Sequence, residues 1–319
     1  MTDVEPIRIS NSEIQMFSKC RRRWMLSYYQ NWKNREPVVT GALALGSRVH
    51  AALEVYYKGS GPLLEQYDLL MSEDKMLAAS IGQDLSVLES EGELGRLMLE
   101  GYLEWVAEEG IDSIYKVIGV EEVLATPMLG GRVELIGKID LRVQDLRDGA
   151  NLVLDHKTTA AFGDFESWAH MNPQLMTYQT LDYVNRPVGP EKDERLAGGV
   201  FRLLKKVKRG TRAKPPFYGQ HEVRHNVFTL RSFWIRTEGI LRDMVWVRDQ
   251  LDAGADHREV APPTPTRDCR WWCPFFQVCP LMDDGSVNAS AIADDPMLND
   301  LYVKGNPYDY YAEGDKGDV

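Results

Sequence analysis

The four cysteines of the chain divide into one early residue and one late triplet. Cys20 lies near the N-terminus, whereas Cys269, Cys273 and Cys279 lie within a stretch of eleven residues. Three clustered thiols leave an odd partner if they pair as disulfides, but three clustered thiolates and one distant one supply the four ligands of a metal or cluster site. Zinc and iron-sulfur clusters both accept four thiolates, so the cysteines alone leave that choice open.

Aromatic residues are interleaved with the triplet, at Trp271, Trp272, Phe275 and Phe276. We expect these side chains to wrap the sulfurs and shield a redox-sensitive cluster from water, although ordinary core packing would use the same residues. Structural zinc sites usually use two pairs of cysteines, and the split into one and three therefore places iron-sulfur modestly ahead. Four small buried side chains, or two disulfide bridges in a secreted protein, would account for the same cysteines without any metal.

Acidic residues and a lysine form a second group that could do chemistry. Gly137-Lys138-Ile139-Asp140 is followed fifteen residues later by Asp155-His156-Lys157. Residues i and i+2 of a strand share a face, so Asp155 and Lys157 project together, and an antiparallel neighbour can bring Asp140 beside them. Paired carboxylates need a cation, and oxygen ligands suit Mg²⁺ or Mn²⁺. Taken alone, the Asp-x-Lys pair could also be a simple salt bridge.

The elements that must position these residues follow from the periodicity of the sequence. Ser10 or Ser12 can cap a first helix that reaches about Tyr29 and contains Cys20. Gly130-Gly131 separates two β-rich runs and predicts a hairpin. The further predicted elements are a helix over 41–57, helical structure over 62–109, strands over 115–126, 132–143, 151–156 and 198–204, and a helix over 173–184.

The formal net charge of −11 excludes a uniformly basic protein, but the charge is unevenly distributed. Residues 281–319 carry nine acids and two bases, a net of −7, which leaves −4 for residues 1–280. Basic patches suggest a groove for a polyanion, or else solvated faces. The candidate contacts are Arg21 and Arg22 of the run 21–23, and Lys205, Lys206, Lys208 and Arg209 of the run 202–214.

No apolar segment approaches the length of a membrane span, and the first residues lack the pattern of a signal peptide. We therefore expect a cytoplasmic protein with reduced thiols and no membrane partner. The segment 281–319 resembles a loosely ordered acidic tail, although its apolar residues could dock on the body of the protein.

The order of these motifs resembles the RecB-like branch of the PD-(D/E)XK nucleases, and within it the iron-sulfur exonucleases related to the CRISPR-associated type and to the AddB nuclease subunit. The resemblance spans about residues 8–280 and implies an α/β fold, in which a mixed central sheet is flanked by helices. It also implies a helical insertion and an iron-sulfur domain that joins the two ends. The residues that carry it are His50, Asp140, Asp155, Lys157, Gln174, Tyr178 and the four cysteines.

By this resemblance, His50, Asp140 and Asp155 bind Mg²⁺ or Mn²⁺, together with a glutamate on the preceding strand. Glu121 and Glu122 both qualify, and we favour Glu121. Lys157 assists catalysis, Gln174 and Tyr178 face DNA and the active site, and the cysteines hold a [4Fe-4S] cluster. Two departures are Asp155, where many relatives have glutamate, and the three residues between Cys269 and Cys273, where two are more usual.

The function that the resemblance implies is a metal-dependent DNA exonuclease, acting on single-stranded ends from 5′ to 3′. The compact size suits a phage or CRISPR-type enzyme, with recombination or CRISPR-type proteins as partners. Two rival functions are a non-catalytic DNA-binding module of the same fold and a zinc-stabilised interaction protein. The expected divisions are an N-terminal helical segment (1–40), a helical region with the histidine (41–114), the nuclease core (115–215), C-terminal helices with the triplet (216–280) and the acidic tail (281–319).

Overall fold

The computed structural model describes residues 5–186, 198–210, 213–287 and 296–312. The chain forms two compact units: a first unit of residues 1–37, 125–136 and 232–319, and a second unit of residues 38–124 and 137–231. Within the described residues, the strands are β1 (Ile7–Ser10), β2 (Trp32–Asn34), β3 (Tyr115–Met128), β4 (Val133–Asp145), β5 (Asn151–Thr159), β6 (Gly198–Lys205), β7 (Tyr218–Arg224) and β8 (Tyr302–Lys304). The helices are α1 (Asn11–Lys19), α2 (Arg21–Trp24), α3 (Ala42–Tyr57), α4 (Leu63–Ser80), α5 (Leu85–Glu109), α6 (Gly163–Glu166), α7 (Pro173–Asn185), α8 (Val227–Asp252), α9 (His257–Val260), α10 (Cys269–Trp272), α11 (Pro296–Leu301) and α12 (Asp309–Ala312).

The second unit is built on a mixed sheet, as expected for this fold class. Its strand order is β4-β5-β6-β7, and β3 also pairs with β4. Strands β4 and β5 are antiparallel, with Leu141 opposite Leu154, whereas β5 and β6 are parallel. Nearly every residue of β6 is buried, which is typical of a strand covered on both faces.

Alternation along the strands sends side chains to two different helical layers. Val153 of β5 packs in one apolar cluster with Leu175 of α7. The helices α3, α4 and α5 form another apolar cluster, which contains Leu204 of β6. Gly95 lets α5 approach α4, because a methyl group there would overlap the hydroxyl of Tyr67. The predicted helices and strands of this unit are therefore confirmed, with small differences at their ends.

The first unit contains Cys20, and its backbone departs from the predicted single helix. Cys20 adopts an extended conformation (φ −160°, ψ 108°) that ends α1 before α2 begins. A π-helical turn, Met25–Tyr29, then follows α2. The prediction of one helix through Tyr29 was wrong, since periodicity of apolar residues does not report a one-residue break.

Part of the acidic C-terminal segment is an integral piece of the first unit. Strand β8 pairs with β2, and the backbone N–H of Ser10 donates to the hydroxyl of Tyr308 at 3.2 Å. That hydroxyl in turn donates to the buried carboxylate of Glu13, which also accepts from Trp24 Nε1 at 2.8 Å. The docking expected of the segment's apolar residues is therefore found at Tyr302, which is buried, and at Tyr308, so this part of the segment is not loosely ordered. The parts of the tail at 288–295 and 313–319 lie outside the described residues.

None of the helices in the described part of the chain combines the length and the apolar character needed to cross a membrane.

Candidate metal centre

Three side chains from three elements of the second unit converge on one point. His50 on α3, Glu121 on β3 and Asp140 on β4 offer ligand atoms that all lie within 4.8 Å of one another. His50 Nδ1 lies 3.1 Å from Asp140 Oδ2. One imidazole and two carboxylates at this spacing form a donor set suited to a divalent cation.

Glu121 enters this group through an unusual backbone conformation. Its φ is +54°, in the left-handed region that costs a non-glycine residue on the order of 1 kcal/mol or more. The carboxylate of Glu121 is buried 3.1 Å from Lys138 Nζ, whereas Glu122 is paired with Arg142 at 2.9 Å. The structure thus places Glu121, and not Glu122, beside His50 and Asp140.

Asp155 and Lys157 lie next to this group and project from one face of β5. Lys157 Nζ is 3.0 Å from Asp155 Oδ1 and 2.8 Å from Asp155 Oδ2. Gln174 on α7 donates to Asp155 at 3.4 Å and to the Tyr178 hydroxyl at 2.8 Å. Asp155 Oδ2 is buried, and its close contact is the ammonium group of Lys157.

Gly137 explains how α7 comes so close to β4. A methyl group at this position would lie 2.8 Å from Leu181 Cδ1 and 3.1 Å from the ring of Tyr178. Both distances are shorter than normal carbon contacts, so a larger residue would displace the side chains of Leu181 and Tyr178. The glycine of the Gly137-Lys138-Ile139-Asp140 motif therefore leaves room for Tyr178 to pack against β4.

Burial away from water makes it costly to ionise the carboxyl groups of this centre. Burial, and then the charge of Asp140, raises the pKa of Glu121 to about 7, although Lys138 opposes the shift. Burial also raises the pKa of Asp155 to about 6 against the influence of Lys157, and Asp140 adds to the shift. A bound cation would favour the ionised form of both groups.

His50 and Asp140 shift the pKa values of each other. Burial alone would lower the pKa of His50, but the adjacent Asp140 carboxylate outweighs it and the pKa is raised. Burial would likewise raise the pKa of Asp140, yet His50 and a hydrogen bond from His156 hold it well below its ordinary value. Asp140 is therefore ionised throughout the neutral range and available as a ligand.

His156 supports Asp140 from the opposite face of β5, and the sequence interpretation had given it no role. Its backbone N–H donates to Asp140 Oδ2 at 2.9 Å, and its Nε2 lies 3.1 Å from the Tyr102 hydroxyl. Arg202 donates to that hydroxyl at 3.0 Å, and Tyr57 lies 2.5 Å from it. Burial lowers the pKa of His156 to about 4, so its ring is neutral. The signal in the sequence was the position of His156 between Asp155 and Lys157.

Comparison with known proteins identifies the family. The model of the PD-(D/E)XK nuclease superfamily matches residues 8–280 of the chain. This chain belongs to the PD-(D/E)XK nuclease superfamily. No curated protein matches it.

Two solved structures are similar to this superfamily member. A protein of Eubacterium rectale assigned as an exonuclease has 11% identity and a TM-score of 0.46, with 76% of this chain and 81% of that chain covered. LHK-Exo, solved in complex with dAMP, has 13% identity and a TM-score of 0.32, with 65% of this chain and 94% of that chain covered.

Several residues predicted to contact a polyanion are engaged within the protein. Arg22 is buried in the first unit and lies 2.6 Å from Asp283, so its guanidinium does not face solvent. In the second unit, Lys208 pairs with Glu93 and Arg209 with Glu104. The prediction for Arg22 was wrong, because its acidic partner is remote in sequence.

Other members of the two basic runs are placed differently. Arg21 is partly exposed and lies 3.7 Å from Asp243. Arg202 is buried against Tyr57 and Tyr102, which removes it from the predicted basic surface. Lys205 and Lys206 are half-buried, and Arg212 lies outside the described residues.

The four cysteines of this nuclease superfamily member are free thiols that line one cavity of about 250 Å³ in the first unit. They are not clustered at metal-ion distances, because no three sulfurs in the described residues lie within 4.8 Å of one another. Two of the sulfurs accept hydrogen bonds from backbone N–H groups of the loop before α10. The N–H of Thr264 donates to Cys20 Sγ at 3.4 Å, and the N–H of Thr266 donates to Cys269 Sγ at 3.3 Å.

The aromatic wrapping expected around the triplet is only partly present. Phe275 is buried, but Trp271 and Trp272 are 74% and 70% exposed and Phe276 is 45% exposed. The expectation of a shielding layer was therefore wrong for both tryptophans. Sequence proximity to cysteine does not determine which way the side chains of a short helix point.

We predict that Mn²⁺ binding to this protein weakens as pH falls from about 8 to below 6. Glu121 and Asp155 must lose their protons to bind a cation, and their pKa values are raised to about 7 and about 6. Calorimetric titration in buffers of different ionisation enthalpy measures both the affinity and the protons released. Glu121→Gln should bind more weakly and with a flatter pH dependence, whereas a pH-independent wild-type affinity would contradict the assignment.

We also predict that Tyr102→Phe weakens Mn²⁺ binding about tenfold. The variant loses the hydrogen bond between the Tyr102 hydroxyl and His156, so His156, and with it Asp140, is held less firmly in place. Tyr57→Phe is the matched control. It removes a hydroxyl that contacts the same Arg202, at 2.7 Å, and leaves the Tyr102 hydroxyl in place beside His156. Both variants should melt at lower temperature, and only Tyr102→Phe should lose metal affinity. Equal affinity loss in both would mean that Tyr102 acts through stability alone.

Proposed function

We propose that the protein is a divalent-metal-dependent deoxyribonuclease that digests single-stranded DNA from its ends. The observation that carries this proposal is the convergence of His50, Glu121 and Asp140 beside the Asp155 and Lys157 pair. Membership of the PD-(D/E)XK nuclease superfamily supports phosphodiester hydrolysis as the reaction. The exonuclease mode and the 5′-to-3′ polarity rest on the resemblance of the motifs to the RecB-like branch.

His50, Glu121, Asp140 and Asp155 are the residues that would hold Mg²⁺ or Mn²⁺. Two observations favour this fit: three ligand atoms already lie within 4.8 Å of one another, and the buried Asp155 carboxylate lies near Asp140 with its charge only partly offset by Lys157. A divalent ion supplies Lewis-acid polarisation of the phosphate and lowers the pKa of a bound water.

Lys157 acts as a cation in this proposal. Burial would lower its pKa, but Asp155 and Asp140 outweigh burial and raise it. The ammonium group therefore keeps its proton at neutral pH and can donate a hydrogen bond to the attacking water or to a phosphate oxygen. Gln174, bonded to both Asp155 and Tyr178, fixes the carboxylate, and Tyr178 can donate to the DNA backbone once the strand is bound.

We further propose that the four cysteines hold a [4Fe-4S] cluster. A tetrahedral zinc ion with bonds of about 2.3 Å draws its four sulfurs to roughly 3.8 Å of one another, whereas no three of the described sulfurs lie within 4.8 Å of one another. A four-iron cluster is larger and keeps its thiolates farther apart, which suits four cysteines around a cavity of about 250 Å³. The N–H groups aimed at Cys20 and Cys269 are of the kind that stabilise cluster sulfurs.

The first test compares end-labelled linear single-stranded DNA with a closed single-stranded circle, with Mn²⁺ or Mg²⁺ added. We expect loss of the linear substrate alone, with early release of a 5′ label, and about 10³-fold or greater loss of activity in Asp140→Asn. Asp68→Asn changes an exposed carboxylate of the same unit and should leave the rate unchanged. Degradation of the circle would indicate endonuclease activity. Intact DNA under all conditions would favour the non-catalytic DNA-binding function.

The cluster is tested by anaerobic purification followed by iron and sulfide analysis and visible absorption. We expect about four irons per chain, and loss of iron with a lower melting temperature in Cys273→Ser, because the cluster cross-links distant segments of the first unit. Asp140→Asn should retain its iron while losing cleavage. Stoichiometric zinc without iron would instead establish a zinc site.

A further inference from the structure

Two adjacent tryptophans in the first unit lie exposed to solvent. Trp271 and Trp272 occupy α10, directly between Cys269 and Cys273, and are 74% and 70% exposed. Among the described tryptophans they are the most exposed, since Trp24 and Trp32 are buried and Trp246, on α8, is 52% exposed. Indole is a large apolar group that normally contributes to a core or an interface. Two neighbouring exposed indoles therefore indicate a contact surface.

The backbone beneath these side chains is held in place on both sides. The N–H of Cys269 donates to Thr266 O at 3.2 Å, and the N–H of Cys273 donates to Cys269 O at 3.1 Å. Phe275, four residues beyond Trp271, is buried with its ring centroid 5.3 Å from that of Tyr302. The indoles are thus presented on an anchored turn.

The surroundings of the indoles are cationic and aromatic. The Arg270 guanidinium lies 5.3 Å from the centroid of the Trp271 ring, and Arg267 is also exposed. Phe276 adds a third, 45% exposed ring. Residues 261–280 contain these two arginines and one acid, Asp268, although the chain as a whole has a net charge of −11. This local balance is complementary to a polyanion with aromatic bases.

We propose that Trp271 and Trp272, with Arg267 and Arg270, form a stacking platform for single-stranded DNA. The choice of DNA as the partner rests on the proposed function. Unpaired bases expose the π-faces that indoles can stack on, whereas duplex bases are already stacked. The arginines provide phosphate contacts and cation–π interactions.

A second copy of the chain fits this surface less well. In a two-fold dimer the same patch faces itself, so a contact through the indoles would bring Arg267 and Arg270 of one copy against the same arginines of the other. A nucleic acid strand instead neutralises both arginines. Binding should therefore weaken as the salt concentration rises.

The test measures binding of a fluorescent oligothymidylate to the whole protein, with cluster or metal content verified and without added divalent ions, so that no cleavage occurs. We expect the Trp271→Leu/Trp272→Leu variant to bind about 100-fold more weakly, at about tenfold for each lost indole. Trp271→Phe/Trp272→Phe keeps two aromatic faces and should lose much less affinity. Trp246→Leu removes an exposed indole from α8 and should bind as the wild type does.

Each outcome decides the proposal. Equal affinity of the Leu double variant and the wild type would overturn the platform, as would an equal loss in the Phe and Leu double variants. Unchanged DNA binding together with a shift from dimer to monomer in sedimentation would assign the surface to a second copy and overturn it too. Cleavage is assayed separately on the wild type, so a protein that binds through the indoles but cuts nothing would refute only the nuclease.

Discussion

Burial of carboxylates is the constraint on which the second unit depends. Glu121, Asp140 and Asp155 are each less than a tenth exposed, and an uncompensated charge of this kind would cost several kcal/mol. The compensation is local, with Lys138 beside Glu121, His50 beside Asp140 and Lys157 beside Asp155. The raised pKa values of Glu121 and Asp155 show that it is incomplete. The negative charge of the three carboxylates is therefore only partly offset by the protein, and a divalent cation can offset the remainder.

Contacts from the surrounding structure position these carboxylates. Gly137 allows α7 to lie against β4, and the support from His156, Tyr102 and Arg202 holds Asp140 from the other side of the sheet. Adjacent residues of β5 point to opposite faces of the sheet. The helices on the two faces therefore contact neighbouring carboxylates through successive residues of this one strand. In general, groups held in place by contacts on several sides are preorganised, which favours electrostatic catalysis.

Much of the second unit was predictable because its signals are local. Alternation and turn residues located β3, β4 and β5, and the spacing of Asp155 and Lys157 placed them on one face. The choice between Glu121 and Glu122 could not follow from alternation, since Glu121 adopts a positive φ that interrupts it.

The errors in prediction share a physical cause. Arg22 and Arg202 belong to basic runs in the sequence, but Asp283 and Asp112 neutralise them from positions 261 and 90 residues away. The composition of a short segment shows which charged residues it contains, but it does not show which distant residues pair with them. The same holds for Trp271 and Trp272, whose neighbours in sequence suggested burial and whose actual environment is solvent.

The division of the chain between the two units has a consequence for biosynthesis. All of the second unit has been made once residue 231 is added, whereas the first unit needs residues 1–37, the hairpin at 125–136 and everything after 231. On the ribosome, the carboxylate centre can therefore assemble while Cys20 still waits for the triplet. Any group that binds all four thiols can therefore be acquired only at the last stage of synthesis or afterwards.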